Sequence, residues 1–387
     1  MWINRFMNQN LSAAAKSRPA VLLTGARQTG KSSLLKKIFP QADYITFDSL
    51  LQVEAAKERP DFFLQQFDDR VVLDEIQYVP ELFRELKIII DEKPGDYGKW
   101  IMTGSQQFVL MEKVSESLAG RLQIFHLETV SAAELRATPV EPIEDFLWKG
   151  GYPEVWANPH LNVSDYFESY VRTYLERDLR EIVQVNSLVD FRRFLRVLAT
   201  RVGQLINYKN LAGDVGVSDV TIRKWLSALQ ISGLIYALPP YFSNIGKRLI
   251  KSPKLYFADH GLLCHLLGIT DLHQWHDCPY KGSLWENFVM MELVKTQRLV
   301  VGENLFFYRD HNDVEIDFVI ERQGQLILVE AKAGESTDAR KLNFNKVAPL
   351  FEDRFTVRTV LALNMNEKKA QKLKNFERYN PLYVEMI

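Results

Sequence analysis

Apolar positions along this chain follow several distinct rhythms. Short, nearly unbroken apolar runs occur in Ala20-Val-Leu-Leu-Thr24, Asp69-Arg-Val-Val-Leu-Asp-Glu-Ile-Gln77 and Lys99-Trp-Ile-Met-Thr-Gly-Ser-Gln106. Their length and content suit buried parallel strands, and Lys31 to Ile38 after the first has helical spacing. From Glu144 to Gln184 the spacing is again helical, broken early by Gly150-Gly151 and Pro153. Between Asn207 and Tyr241 the order becomes helix, turn at Gly216-Val-Ser218, then a second helix opened by Ser218. Val220, Ile222, Trp225, Leu226 and Leu229 are expected to face inward, leaving Thr221, Arg223, Lys224 and Ser227 at the surface. Leu234-Ile-Tyr-Ala-Leu and Lys254-Leu-Tyr-Phe read as strands, with Ser243 to Arg248 between them as a candidate wing. In the last third, a helical stretch around Leu284-Trp-Glu-Asn-Phe precedes two alternating runs, Val314 to Ile320 and Leu326 to Lys332, which suit paired strands turning near Gln323-Gly324.

At 387 residues the chain exceeds what one core usually serves, so two to four compact units are expected in an α/β fold. The expected boundaries are 1–140, 141–187, 188–260 and 261–387. Lysine plus arginine (48) nearly balances aspartate plus glutamate (49), so the whole molecule projects no field that selects a partner. Locally the balance shifts, for 188–260 holds 11 lysines and arginines against 4 acids, the footprint of contact with a phosphate backbone. Two cysteines exclude a disulfide framework, and no apolar run approaches the roughly 20 residues that span a bilayer. The start also lacks an apolar signal core, so a cytoplasmic protein with no membrane partner is expected.

Chemistry enters at the loop after the first strand, Gly25-Ala26-Arg27-Gln28-Thr29-Gly30-Lys31-Ser32, with Ser33 following on the helix. Glycines at both ends let backbone N–H groups turn toward phosphate oxygens, and the helix N-terminus adds a favourable dipole. Lys31 reaches the β and γ phosphates, while Ser32 supplies a hydroxyl to Mg2+, so ATP and Mg2+ are the expected ligands. Asp74 at the end of the second strand would hold Mg2+, and Glu75 would polarise the attacking water. Ser105 or Gln106, at the carboxyl edge of the third strand, would sense the γ phosphate, although Thr-Gly-Ser is also a common turn. Arg121 is a candidate for offsetting phosphoryl charge, or else for a structural ion pair.

Taken together, this loop, the Leu-Asp-Glu-Ile-Gln strand, Thr-Gly-Ser-Gln, Ser-Leu-Ala-Gly-Arg121 and Gly150-Gly-Tyr-Pro-Glu154 resemble AAA+ ATPases that carry a carboxy-terminal domain of unknown function. The resemblance implies a P-loop parallel sheet, a helical lid over 141–187, ATP hydrolysis, and a homo-oligomeric ring in which Arg121 acts on a neighbour. Tyr152 and Pro153 would border the adenine or form a turn, and Arg177 and Arg180 would approach phosphates or lie on a solvated face.

The segment 188–260 has winged-helix order, which serves double-stranded DNA or protein packing. Glu286, Asp317 and Glu330-x-Lys332 resemble the PD-(D/E)xK nucleases, and that resemblance implies Asp317 and Glu330 as metal ligands with Lys332 positioning water. Three functions therefore remain open: an ATPase coupled to DNA binding or processing, a nucleotide switch that binds protein partners, and an ATP-gated metal-dependent nuclease.

Overall fold

The computed structural model describes residues 1–105, 118–139, 142–175, 187–241, 252–334, 338, 342–365, 369–373 and 376–384. They form two compact units, an amino-terminal one (4–128 with 231–233) and a carboxy-terminal one holding the rest.

The amino-terminal unit contains helix α1 (Met7–Ala14), strand β1 (Ala20–Thr24), α2 (Lys31–Ile38), β2 (Asp43–Thr46), α3 (Leu50–Glu58), α4 (Pro60–Gln65), β3 (Val71–Asp74), α5 (Leu82–Glu92), β4 (Trp100–Gly104) and β5 (Leu122–His126). The five strands make one parallel sheet in the order β2-β3-β4-β1-β5. Side-chain alternation divides each inner strand between two cores. Ala20, Leu22, Val71, Leu73, Trp100 and Met102 enter one face, while Val21, Leu23, Val72 and Ile101 enter the other. Burial on both faces explains why these strands read as continuous apolar runs.

In this order β4 separates β1 from β3, so whatever joins the loop after β1 to the acids after β3 must bridge the end of β4.

The carboxy-terminal unit begins with short helices, α6 (Ala132–Arg136), α7 (Phe146–Lys149), α8 (Pro153–Ala157) and α9 (Val163–Tyr170), followed by α10 (Leu188–Ala199). Next come α11 (Tyr208–Val215) and α12 (Asp219–Ile231), joined through Gly216 and Ser218, and a two-stranded antiparallel ribbon, β6 (Ile235–Leu238) with β7 (Lys254–Phe257). The Ser218 hydroxyl accepts from the Thr221 N–H at 3.1 Å, as an N-cap does. Ile222, Trp225, Leu226 and Leu229 are buried, whereas Val220 is 56% exposed, against the expectation that it faces inward. Two residues of helix turn the side chain by roughly 200°, so Val220 lies opposite Ile222.

After α13 (His260–Leu266) and α14 (Leu272–Asp277), the long helix α15 (Lys281–Gln297) is buried along most of its length. It packs on a mixed sheet of β8 (Leu305–Arg309), β9 (Glu315–Arg322), β10 (Gln325–Lys332), β11 (Thr356–Leu363), β12 (Gln371–Lys372) and β13 (Glu377–Tyr379), ordered β12-β13-β11-β10-β9-β8. β9 and β10 pair through the two-residue turn Gln323-Gly324, both at positive φ, as a tight hairpin requires. Ile327, Val329 and Ala331 face a core shared with the helices, while Leu326 and Leu328 face a second core. Among the described residues, no helix is long and apolar enough to cross a membrane.

Candidate functional site

The backbone of the loop after β1 is built against the segment after β5. The Leu127 N–H donates to the Thr24 carbonyl at 2.8 Å, bringing that segment beside Gly25. Gly25 sits at φ +144°, and a Cβ there would run into the Leu127 carbonyl oxygen, so the close approach demands glycine. Within the loop, the Thr29 hydroxyl donates to the Ala26 carbonyl at 3.0 Å. Arg5, from the start of the unit, donates to the carbonyls of Thr29 (3.1 Å) and Glu128 (2.6 Å), tying the loop down from outside. The Lys31 ammonium folds back across the loop to the carbonyls of Gly25 (3.0 Å) and Ala26 (2.9 Å). Within the stretch Ala26, Arg27, Gln28, Thr29 and Gly30, Gln28 takes the left-handed region at φ 61°. Ser33 is exposed on α2.

Asp74 and Ser32 meet across the end of β4. The Ser32 hydroxyl stands 2.9 and 3.0 Å from the two Asp74 oxygens, and Asp74 also accepts from the hydroxyls of Tyr44 on β2 and Thr103 on β4. Burial, then the bond to Asp74, pushes the Tyr44 phenol well above its ordinary range, so it stays a donor. Hard oxygen ligands suit Mg2+, and a hydroxyl facing a carboxylate at this separation fits that ion.

Glu75 takes a left-handed backbone, φ 57° and ψ 45°, which costs a non-glycine residue about 1–2 kcal/mol. Thr103 holds that geometry by accepting the Glu75 N–H at 3.1 Å. The turned residue aims its carboxylate at Ser105, whose hydroxyl donates at 3.1 Å, and at the Gln77 amide. Ser105 therefore reaches the acid predicted to handle water. Gln106, Arg177, Arg180 and the candidate wing Ser243 to Arg248 lie outside the described residues.

Arg121 donates to both carboxylate oxygens of Asp91 on α5, at 2.5 and 2.9 Å, within the same unit. This is the ion-pair alternative raised by the sequence. Tyr152 is 1% exposed and packs against Tyr170 and Phe167 in the carboxy-terminal unit, while the preceding Gly151 N–H donates to Asp259 at 2.8 Å. An adenine-bordering role does not suit a ring buried in that core.

The second constellation also assembles, with an addition no motif announced. Asp317 on β9 accepts from the Ala331 N–H (2.8 Å) and from Lys332 (3.2 Å), and Glu330 accepts from Lys332 (2.7 Å) and the Asn343 N–H (3.1 Å). Glu286 on α15 accepts from the Tyr256 hydroxyl at 2.5 Å and pairs with Lys254 of β7 at 2.8 Å. The same ammonium pairs with Glu315 at 2.6 Å, and Arg309 takes the other Glu315 oxygen at 3.2 Å. Burial works against charging Lys254, but Glu286, Asp317 and Glu315 outweigh it and hold the ammonium above its usual range. A divalent ion needs open carboxylate lone pairs, and here lysines and backbone N–H groups engage them. Lys332 and two backbone N–H groups thus take up acceptor positions of Asp317 and Glu330. Among the described residues, no group of three or more acidic, histidine or cysteine side chains is arranged to hold a metal.

Beside α11 opens a cavity of about 810 Å3, lined in part by Arg201, Asn207, Tyr208, Lys209, Arg223 and Arg309. The Arg223 guanidinium lies over the Tyr208 ring at 3.8 Å.

Sequence reasoning missed Tyr44, Thr103, Arg5 and Lys254. Only Thr103 left a signal, since it shares a strand face with Ser105, two residues on.

Comparison with known proteins matches residues 17–136 to an AAA domain. It matches 140–273 and 281–379 to two domains of unknown function, DUF8612 and DUF4143. Two curated relatives, the uncharacterized proteins Rv2008c of Mycobacterium tuberculosis and Mb2031c of Mycobacterium bovis, are each 33% identical over 318 residues, 81% of this chain and 70% of theirs. Among solved structures, the Walker-type ATPase PABY2304 of Pyrococcus abyssi is 15% identical with TM-score 0.46, covering 68% of this chain and 96% of that one. The RuvB Holliday junction branch migration motor of Thermotoga maritima is 16% identical with TM-score 0.32, covering 61% and 90%.

Proposed function

From the premise that this chain belongs to the family of the two mycobacterial relatives and carries an AAA domain, we propose that it is an ATPase, binding ATP with Mg2+ at the loop after β1 and hydrolysing it. The observation that carries this reading is the meeting of Ser32 and Asp74 at 2.9–3.0 Å beside Glu75, on a parallel sheet whose carboxyl edge they share.

The residues divide the work as their contacts suggest. The loop N–H groups and the α2 N-terminus bind phosphate oxygens, and Lys31 exchanges the carbonyls of Gly25 and Ala26 for the β and γ phosphates. Ser32 and Asp74 hold Mg2+, which when bound neutralises charge on the phosphates. Glu75 accepts a proton from the attacking water as its oxygen bonds to the γ phosphorus and the bond to the ADP oxygen breaks. Ser105 and Gln77 fix the Glu75 carboxylate until then. Arg121 would serve a neighbour in a ring only after releasing Asp91.

A specific observation favours nucleic acid as what the engine works on. The cavity beside α11 gathers Arg201, Lys209 and Arg223, all from the stretch whose basic excess the sequence shows. Winged-helix docking of duplex DNA is the reading adopted for 188–260, with a protein-recruiting switch as the competing outcome. The test is ATP binding and phosphate release with and without single- and double-stranded DNA. Binding that disappears in Lys31→Ala and turnover that rises with DNA are expected. ATP affinity unchanged in Lys31→Ala would overturn the nucleotide site, and ATPase indifferent to DNA would favour the switch.

A further inference from the structure

Nuclease-like cores gather carboxylates around a divalent ion, and four gather here: Glu286 on α15, Glu315 and Asp317 on β9, and Glu330 on β10. Three cations already stand among them. Lys332 bridges Asp317 and Glu330, Arg309 takes one oxygen of Glu315, and Lys254 bridges Glu286 and Glu315 at 2.8 and 2.6 Å. Lys254 comes from the β6–β7 ribbon, not from the motif, and only 2% of its surface is exposed.

We infer that the Lys254 ammonium is the resident cation of this carboxylate cluster, taking the place of a divalent metal, so that the carboxy-terminal domain takes no Mg2+ and leaves phosphodiester bonds intact.

Charge supports this. The Lys254 ammonium already stands between Glu286 and Glu315, so a divalent ion held by the same two acids would face a buried like charge, which is costly. Without Lys254, Glu286 would keep no cationic partner among the described residues. Geometry agrees, for an ion of that kind needs several oxygens within about 2.0–2.6 Å, and the ammonium already draws one oxygen each of Glu286 and Glu315 to itself. The ribbon strand is anchored as well. β7 pairs with β6, its Leu255, Tyr256 and Phe257 are buried, and Tyr256 holds the same Glu286 oxygen. Lys254 is therefore a fixed part of the cluster.

This inference stands apart from the nucleotide site, and Mn2+ titration of the nucleotide-free full chain, read by electron paramagnetic resonance, tests it. Without nucleotide the P-loop lacks the phosphate oxygens that help hold its own ion. The parent is expected to bind no Mn2+ that Glu286→Gln removes, and Lys254→Ala to gain one ion per chain that Lys254→Ala with Glu286→Gln loses. A parent that binds one such ion, or that cuts DNA in Mn2+ while Asp317→Asn does not, overturns the inference. So does a folded Lys254→Ala protein that gains none. If Lys254→Ala does not fold, the two parent measurements decide alone.

Discussion

Three hydroxyls from three elements converge on Asp74: Ser32 from α2, Tyr44 from β2 and Thr103 from β4. Hydrogen bonds to a charged group are each worth about 1.5–3 kcal/mol, so losing one should be measurable. Tyr44→Phe is expected to raise the Mg2+ concentration for half-maximal ATPase roughly tenfold, while turnover at saturating Mg2+ changes little. An unchanged Mg2+ midpoint would remove Tyr44 from the task of holding Asp74. Tyr44 was not legible in the sequence because it lies 30 residues from Asp74 on a neighbouring strand. The loop was legible because its eight residues are contiguous and their chemistry is local. Lys254 was hidden for the same reason as Tyr44, its partners Glu286 and Glu315 lying in other elements of the fold.

Among whole elements, α15 shows how burial tunes a carboxyl. Glu292 is 2% exposed and accepts the Ala132 N–H at 2.9 Å, capping α6 from the side. Burial pushes its carboxyl up from 4.5 to about 7, opposed by Lys295, that N–H and Arg136 and assisted by Glu134. A folded-state value above the unfolded one means that the folded chain holds the extra proton between those limits, so stability falls as pH rises from about 5 toward 7. Glu292→Gln keeps an acceptor oxygen for Ala132 and removes the charge. Its Tm is expected to exceed the parent's at pH 8, with the gap closing below about pH 5. A gap independent of pH would show that Glu292 does not titrate in that window. Periodicity located this helix but could not say that it is buried along most of its length, since that depends on the sheet beneath it. On α12 the same limit misplaced Val220, an apolar residue on the outer side of a helix whose stripe begins at Ile222.

For the molecule as a whole, net charge near zero conceals a basic segment balanced by acidity elsewhere. If Arg201, Lys209 and Arg223 meet phosphates, the slope of log affinity against log salt should be about −2 to −3, and Lys209→Ala should reduce its magnitude by about 1. Duplex binding that ignores salt between about 50 and 200 mM would sink the nucleic-acid reading and leave the ATPase untouched.

Glu75, turned into a left-handed backbone beside Asp74, is the residue proposed to activate water at the loop after β1. The most direct test of that role compares nucleotide binding and phosphate release in the parent and in Glu75→Gln. ATP affinity within about threefold of the parent and turnover lowered at least a hundredfold are expected, since general-base catalysis contributes about 10²–10⁴. Full turnover by the glutamine protein would contradict that role.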